Sequence, residues 1–126
     1  MSELREIFDL YRKTVNDALD AYVPDDKTEL SRAMRYSLLC GGKRIRPVIT
    51  LAFCKLCGGD AKNALPFACA VEMVHTYSLI FDDMPAMDND DWRRGQPSCH
   101  KKFGEAMAML AGLGLYAKAF ELTSSA

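Results

Sequence analysis

The chain has 126 residues, nearly half of them hydrophobic and about a quarter charged, with Lys plus Arg at 16 against Asp plus Glu at 17. This is enough for one domain with a hydrophobic core, too little for two, and not the composition of a disordered chain. The near balance of charge excludes a global field aimed at nucleic acid or an anionic membrane, so charge must act locally.

Residues 3–22 set Leu4, Ile7, Phe8, Tyr11, Val15, Ala18, Leu19 and Tyr22 at helical intervals. Pro24 ends that element, and its charged start is no signal peptide. A second helix is predicted from near Thr28, burying Leu30, Ala33, Met34, Ser37 and Leu38, with Gly41 and Gly42 as its stop. Pro47 suits the first turn of a third helix ending at Gly58-Gly59. Cys54-x-x-Cys57 falls in this apolar stretch with no second pair, so these cysteines read as buried free thiols, like Cys40, Cys69 and Cys99. Asp60 is placed to cap the next segment, and Pro66 is expected to start a fourth helix running to about Asp83. Residues 84–98 hold two prolines, a glycine and most of the unusual charge, and form a loop. After a short turn at 98–103, a last helix begins near Glu105. Its uncharged run, Ala106 to Ala117, falls short of the ~20 residues of a membrane span, and a cytoplasmic location is expected. No strand alternation or repeat appears. The class is all-α, about five helices in one partial domain over 1–126.

The stretch FDDMPAMDNDDWRRGQP, residues 81–97, places Asp82, Asp83, Asp88, Asp90 and Asp91 after the apolar run AVEMVHTYSLI. A helix C-terminus carries partial negative charge, the unfavourable end for carboxylates. Arg93 and Arg94 could offset that charge, and so could a metal. Starting an EF-hand loop at Asp82 puts Met87 where glycine is needed and Arg93 where the bidentate glutamate is needed, and starting it at Asp88 puts Arg93 and Cys99 there. Mg²⁺ fits better, because it takes one or two carboxylates and shares its remaining shell with water and phosphates. Asp82 and Asp88 are six apart, about 240° round an ideal helix. Pro85 lacks the N–H that would bond back to Phe81, so the helix should break there and let them converge. His75 lies two turns before Asp82 on nearly the same face, either as a satisfied core histidine or as part of the acidic site.

Upstream, GGKRIRP at 41–47 sets Lys43, Arg44 and Arg46 between two glycines and a proline. Alone this is a solvated basic turn or an anion site at a helix start. With the second basic pair and the acidic cluster, it fits a site for two phosphorylated ligands, one bridged through metal.

GGKRIRP followed by HTYSLIFDDMPAMDNDDWRRGQPSCHKKFGEAMAMLAG resembles the trans-isoprenyl diphosphate synthases, the bacterial farnesyl diphosphate synthase (geranyltranstransferase) type in particular. The resemblance runs from about Gly41 to Gly112. It implies a helical bundle of the isoprenoid synthase type and condensation of isopentenyl diphosphate with an allylic diphosphate. It implies that Asp82 and Asp88, the ends of a DDxxxxD motif, bind Mg²⁺ bridging the allylic diphosphate, with Asp83 in support. Arg93 would contact that diphosphate, and Lys43, Arg46, His75 and Arg94 would hold isopentenyl diphosphate. Tyr77, five before the first aspartate, would floor the pocket and limit chain length.

Three positions depart from the family pattern: Phe81 stands where histidine is usual, Leu113 where aspartate follows AG, and Lys118 at a usually apolar position. A second aspartate-rich motif of the family is absent from 1–126. The expectation is therefore an N-terminal half, incompetent alone, or else a non-catalytic diphosphate-binding or subunit-like module completed by another chain. Uncovered apolar helix faces are expected to make it a homo-oligomer.

Overall fold

The computed structural model describes residues 2–126, in the order α1 (Ser2–Tyr22), α2 (Glu29–Leu38), α3 (Ile45–Leu56), α4 (Ala61–Asp83), β1 (Trp92–Arg93), β2 (Gln96–Pro97), α5 (Cys99–Phe103) and α6 (Glu105–Ser124). The protein is all-α apart from a two-residue ribbon, β1 antiparallel to β2. The sixth helix beyond the five expected is α5, a single short helix where a turn was predicted.

Helix starts follow local chemistry. Thr28 Oγ1 accepts the Ser31 N–H at 3.1 Å and caps α2. Asp60 caps α4 by accepting the Lys62 N–H at 3.0 Å. Pro66 does not start α4 but sits inside it. One hydrogen bond is lost there, yet Ala61, Ala64 and Leu65 before it already pack on the core, so the helix nucleates at the cap. The end of α2 is also earlier than expected: Leu39 leaves the helix after its N–H reaches Arg35, before either glycine.

The core forms where α4 crosses α3, α1 and α6. Cys69, Met73 and Ile80 of α4 meet Leu51 of α3, Val15 and Leu19 of α1, and Ala108, Ala111 and Leu115 of α6. Each large apolar side chain removed from water here contributes about 1.5–3 kcal/mol. Small residues on α6 let the helices approach closely: a Cβ on Gly112 would lie 2.6 Å from Phe81 Cε2. By length and apolar composition α4 passes as a membrane span, but it is packed between α3 and α6 and buries Glu72 and Asp83, as a core helix does.

The apolar pattern overstates burial at the edges. Leu4 and Ile7 on α1 and Leu30 on α2 are exposed, because nothing among the described residues covers them. Cys57 is exposed and Cys54 only half-buried, against the expectation of buried thiols, whereas Cys69 and Cys99 are buried. Burial pushes the Cys69 thiol up to about 12.

Candidate functional site

At the end of α4 the chain folds back over the helix terminus. Met84 closes the last turn on the Phe81 carbonyl. The Asp88 N–H then bonds to the Asp82 carbonyl at 2.8 Å, and the Asp90 N–H to the Asp83 carbonyl at 2.9 Å. The loop thereby satisfies carbonyls that a helix end leaves unpaired, and the backbones of Asp82 and Asp88 are joined directly. Asp82 is half-buried and Asp88 exposed. Among the described residues no three His, Cys, Asp or Glu side chains gather at metal-holding distance.

Asp83 behaves differently. It is buried, and both its oxygens are occupied by Arg93: Nε donates to Oδ2 at 2.6 Å and Nη2 to Oδ1 at 2.7 Å. That hydrogen bond, followed by the carboxylate charge, holds the Arg93 pKa above its ordinary value.

Arg93 and Arg94 ride on a two-residue hairpin. Arg94 and Gly95 form its turn, at φ 52° and 79°, the left-handed pair that such tight turns require. Three contacts anchor it: the Tyr36 hydroxyl donates to the Pro97 carbonyl at 2.7 Å, the Ser98 hydroxyl to the Asp90 carbonyl at 2.8 Å, and Arg94 Nη1 to the Gly41 carbonyl at 2.8 Å.

Lys43, Arg46, His75 and Arg94 line one open cleft, with Glu72 in its wall. They come from the start of α3, the middle of α4 and the hairpin. Gly42 is required beside them. Its φ is +126°, and a Cβ there would meet Arg94 Nη2 at 3.0 Å. His75 Nε2 lies 3.4 Å from Arg46 Nη1. Burial, then the Arg46 charge, hold the His75 pKa below its ordinary value.

Arg44 does not share the solvated role of its neighbours. It is buried in the left-handed region at φ 58°, a conformation costing about 1 kcal/mol. Its guanidinium donates to Asn16 Oδ1 at 2.8 Å, Glu72 Oε2 at 3.1 Å and the Leu38 carbonyl at 2.6 Å. One side chain thus ties α1, α2 and α4 behind the cleft. The sequence signal for it is a lone glutamate, Glu72, within the apolar run of α4. Arg-Gly between Trp92-Arg93 and Gln96-Pro97 likewise marks a hairpin that alternation over two residues is too short to reveal.

Tyr77 lies in neither the cleft nor the acidic loop. It stacks between Phe81 and Tyr116, with ring centroids 5.0 and 4.9 Å away, and Phe120 extends the row. A separate apolar groove, lined by Phe67, Val71, Val74 and Phe120, opens beside the cleft and shares Arg46 and His75 with it. Leu113 is exposed on α6, and Lys118 pairs with Glu121 at 2.7 Å.

A helical fold with a cationic cleft against an acidic helix end defines an isoprenoid synthase type of protein. Residues 27–126 match the polyprenyl synthetase family, and the chain belongs to that family. It is 58% identical over 113 residues to the large subunit 1 of the heterodimeric chloroplast geranylgeranyl pyrophosphate synthase of Arabidopsis thaliana, covering 89% of this chain and 30% of that protein. It is 54% identical over 113 residues to farnesyl diphosphate synthase of Geobacillus stearothermophilus, covering 88% of this chain and 38% of that one. A geranyltranstransferase structure from Thermotoga maritima superimposes with a TM-score of 0.90 at 41% identity, over 94% of this chain and 45% of that chain. The chain therefore spans less than half the length of these relatives.

Proposed function

We propose that this chain carries the diphosphate-binding half of a trans-prenyltransferase site, for condensing isopentenyl diphosphate with dimethylallyl or geranyl diphosphate toward farnesyl diphosphate. The observation that carries the reading is the convergence of Lys43, Arg46, His75 and Arg94 on one cleft beside the acidic loop. Charge-assisted bonds from separate cations suit a diphosphate, and in this reading the cleft holds isopentenyl diphosphate. Arg93 keeps N–H donors beyond those given to Asp83, and these would meet the allylic diphosphate.

The donor chemistry fits Mg²⁺. Asp82 and Asp88 supply hard oxygens at a helix end that favours a cation, and their backbones are already joined. They would hold the ion, while Asp83, occupied by Arg93, would support from behind. Bound Mg²⁺ supplies neutralisation of the departing diphosphate. The chain's own residues do the rest. Arg93 stabilises the leaving group, and the cleft fixes the isopentenyl double bond near the allylic carbon. The apolar groove along Phe67, Val71 and Val74 shelters a prenyl tail from water. In this reading the row Phe81, Tyr77, Tyr116 and Phe120 forms the floor that limits chain length.

We infer that diphosphate capture is what this chain does alone, and that condensation needs carboxylates from a further helical segment facing Asp82. A non-catalytic module completed by another chain is the second reading, favoured by the exposed side chains of Phe67, Val71 and Phe120 on adjacent helices. Calorimetry with pyrophosphate, with and without Mg²⁺, tests the shared step. Mg²⁺-enhanced binding lost in Asp82→Ala is expected, and Mg²⁺-independent binding would remove the metal assignment. Labelled isopentenyl and geranyl diphosphates separate the two readings: turnover appearing on addition of a C-terminal partner segment supports the first, and robust turnover by the 126-residue chain alone would overturn the inference of incompetence.

A further inference from the structure

We propose that Cys40 and Cys99 form a dithiol site that a low-molecular-weight disulfide oxidises to an intramolecular disulfide, and that this oxidation weakens the cationic cleft. The two cysteines come from distant segments, Cys40 just beyond α2 and Cys99 at the first position of α5. They line the same small cavity, with Tyr36, Ser37, Asp83 and Arg94. Ser37 lies on the same cavity wall as both thiols, and Cys40 Sγ donates to its carbonyl at 3.2 Å.

A disulfide needs the two Cβ atoms about 3.5–4.5 Å apart, and any movement needed to reach that spacing falls on the less constrained segment. Cys99 is held in α5 and buried. Cys40 is half-buried, outside any helix, and followed by Gly41 and Gly42, so the movement falls on Cys40. The same sulfur touches the cleft: Arg94 Nη1 lies 3.6 Å from Cys40 Sγ and donates to the carbonyl of the adjoining Gly41. Drawing Cys40 toward Cys99 pulls Arg94's anchor away from its place.

The chemistry balances as two exchanges. The Cys40 sulfur attacks one sulfur of the small disulfide, whose S–S bond breaks and releases one thiol. The Cys99 sulfur, losing its proton to solvent, attacks Cys40 and releases the second. Two protein thiols are oxidised and one small disulfide is reduced to two thiols. Burial holds the Cys99 thiol above its ordinary pKa, which makes it the second, resolving sulfur.

The test uses the Cys54→Ser/Cys57→Ser chain, which removes the more accessible CxxC pair. The folded protein is treated with oxidised glutathione, remaining thiols are alkylated, and peptides are mapped by mass. A peptide linking Cys40 to Cys99, removed by dithiothreitol, is expected. Pyrophosphate affinity of the oxidised chain should fall about twofold to tenfold, the worth of one hydrogen bond, and recover on reduction. Alkylated Cys99 with Cys40 either free or held as the glutathione adduct overturns the site. A linked peptide with unchanged affinity overturns its coupling to the cleft. That coupling rests on reading the cleft as a diphosphate site, whereas the peptide map does not, so the two fail separately.

Discussion

Asp83 and Arg93 close a two-point ion pair across the acidic loop, with Asp83 at 2% side-chain exposure and Arg93 at 33%. Of the two adjacent aspartates that end α4, Asp83 is thereby structural, while Asp82 takes no part in that pair. Asp83→Asn should destabilise the fold by about 2 kcal/mol. This is less than a fully buried pair would lose, because Arg93 stays partly hydrated. Asp82→Asn should change stability by under ~0.5 kcal/mol while lowering Mg²⁺-dependent pyrophosphate binding. Urea unfolding and calorimetry on the two variants check the division. Equal stability losses would refute it.

Glu72 and Arg44 form the buried counterpart, at 4% and 2% side-chain exposure. Glu72→Ala leaves a buried guanidinium without its counter-charge and should cost about 3–5 kcal/mol. Replacing both, Arg44→Met with Glu72→Leu, should recover much of that loss. A double-mutant cycle by urea denaturation measures the coupling.

His75 gives the cleft a pH dependence. Its folded pKa lies below the ordinary value, through burial first and the Arg46 charge second. Between the folded and unfolded pKa the unfolded chain binds more protons. The His75 contribution to stability is therefore complete above the unfolded value of about 6.5 and declines as pH falls through the folded pKa. A diphosphate in the cleft favours the imidazolium, so binding should take up a proton and strengthen as pH drops. Calorimetry in buffers of different ionisation enthalpy reads the proton uptake, and His75→Asn should abolish it.

Gly112 faces Phe81 at a distance that leaves no room for a methyl group, 2.6 Å to an added Cβ. Gly112→Ala should cost about 1–3 kcal/mol by overpacking, and Phe81→Leu in that background should return part of it. Thermal unfolding of the single and double variants is the measurement.

Met109, Leu110, Leu113, Tyr116 and Phe120 leave a broad apolar face of α6 exposed. Association through this face should give a concentration-dependent dimer in sedimentation, consistent with the proposal of a homo-oligomer. Leu113→Asp, at an exposed position, should shift the protein to monomer with little change in fold stability. A monomer at every concentration would refute this interface.

Much of the architecture was legible locally. The starts of α2 and α6, the Asp60 cap and the loop after Asp83 follow from caps, glycines, prolines and apolar period, because these act over a few residues. Pro66 was misplaced because its local cost is outweighed by the cap and the packing of Ala61, Ala64 and Leu65. Exposure of Leu4, Ile7 and Leu30 was illegible because period shows which residues share a face and says nothing of what covers it.

The amino-acid sequence by itself determined the helical class, the family, and the residue types of the cationic cleft and the acidic loop, since motif spacing and residue chemistry are properties of the chain. Tertiary structure alone decided how those residues divide. Arg44 turns inward to Glu72 while its neighbours Lys43 and Arg46 face the cleft, and Asp83 is bound by Arg93 while Asp82 remains free of it. The partners lie ten or more residues apart, and their pairing is set by long-range packing of α4 against the hairpin and the start of α3. A buried charge must find its counter-charge or lose several kcal/mol, and that requirement, invisible along the chain, assigns neighbouring residues of one type to different tasks.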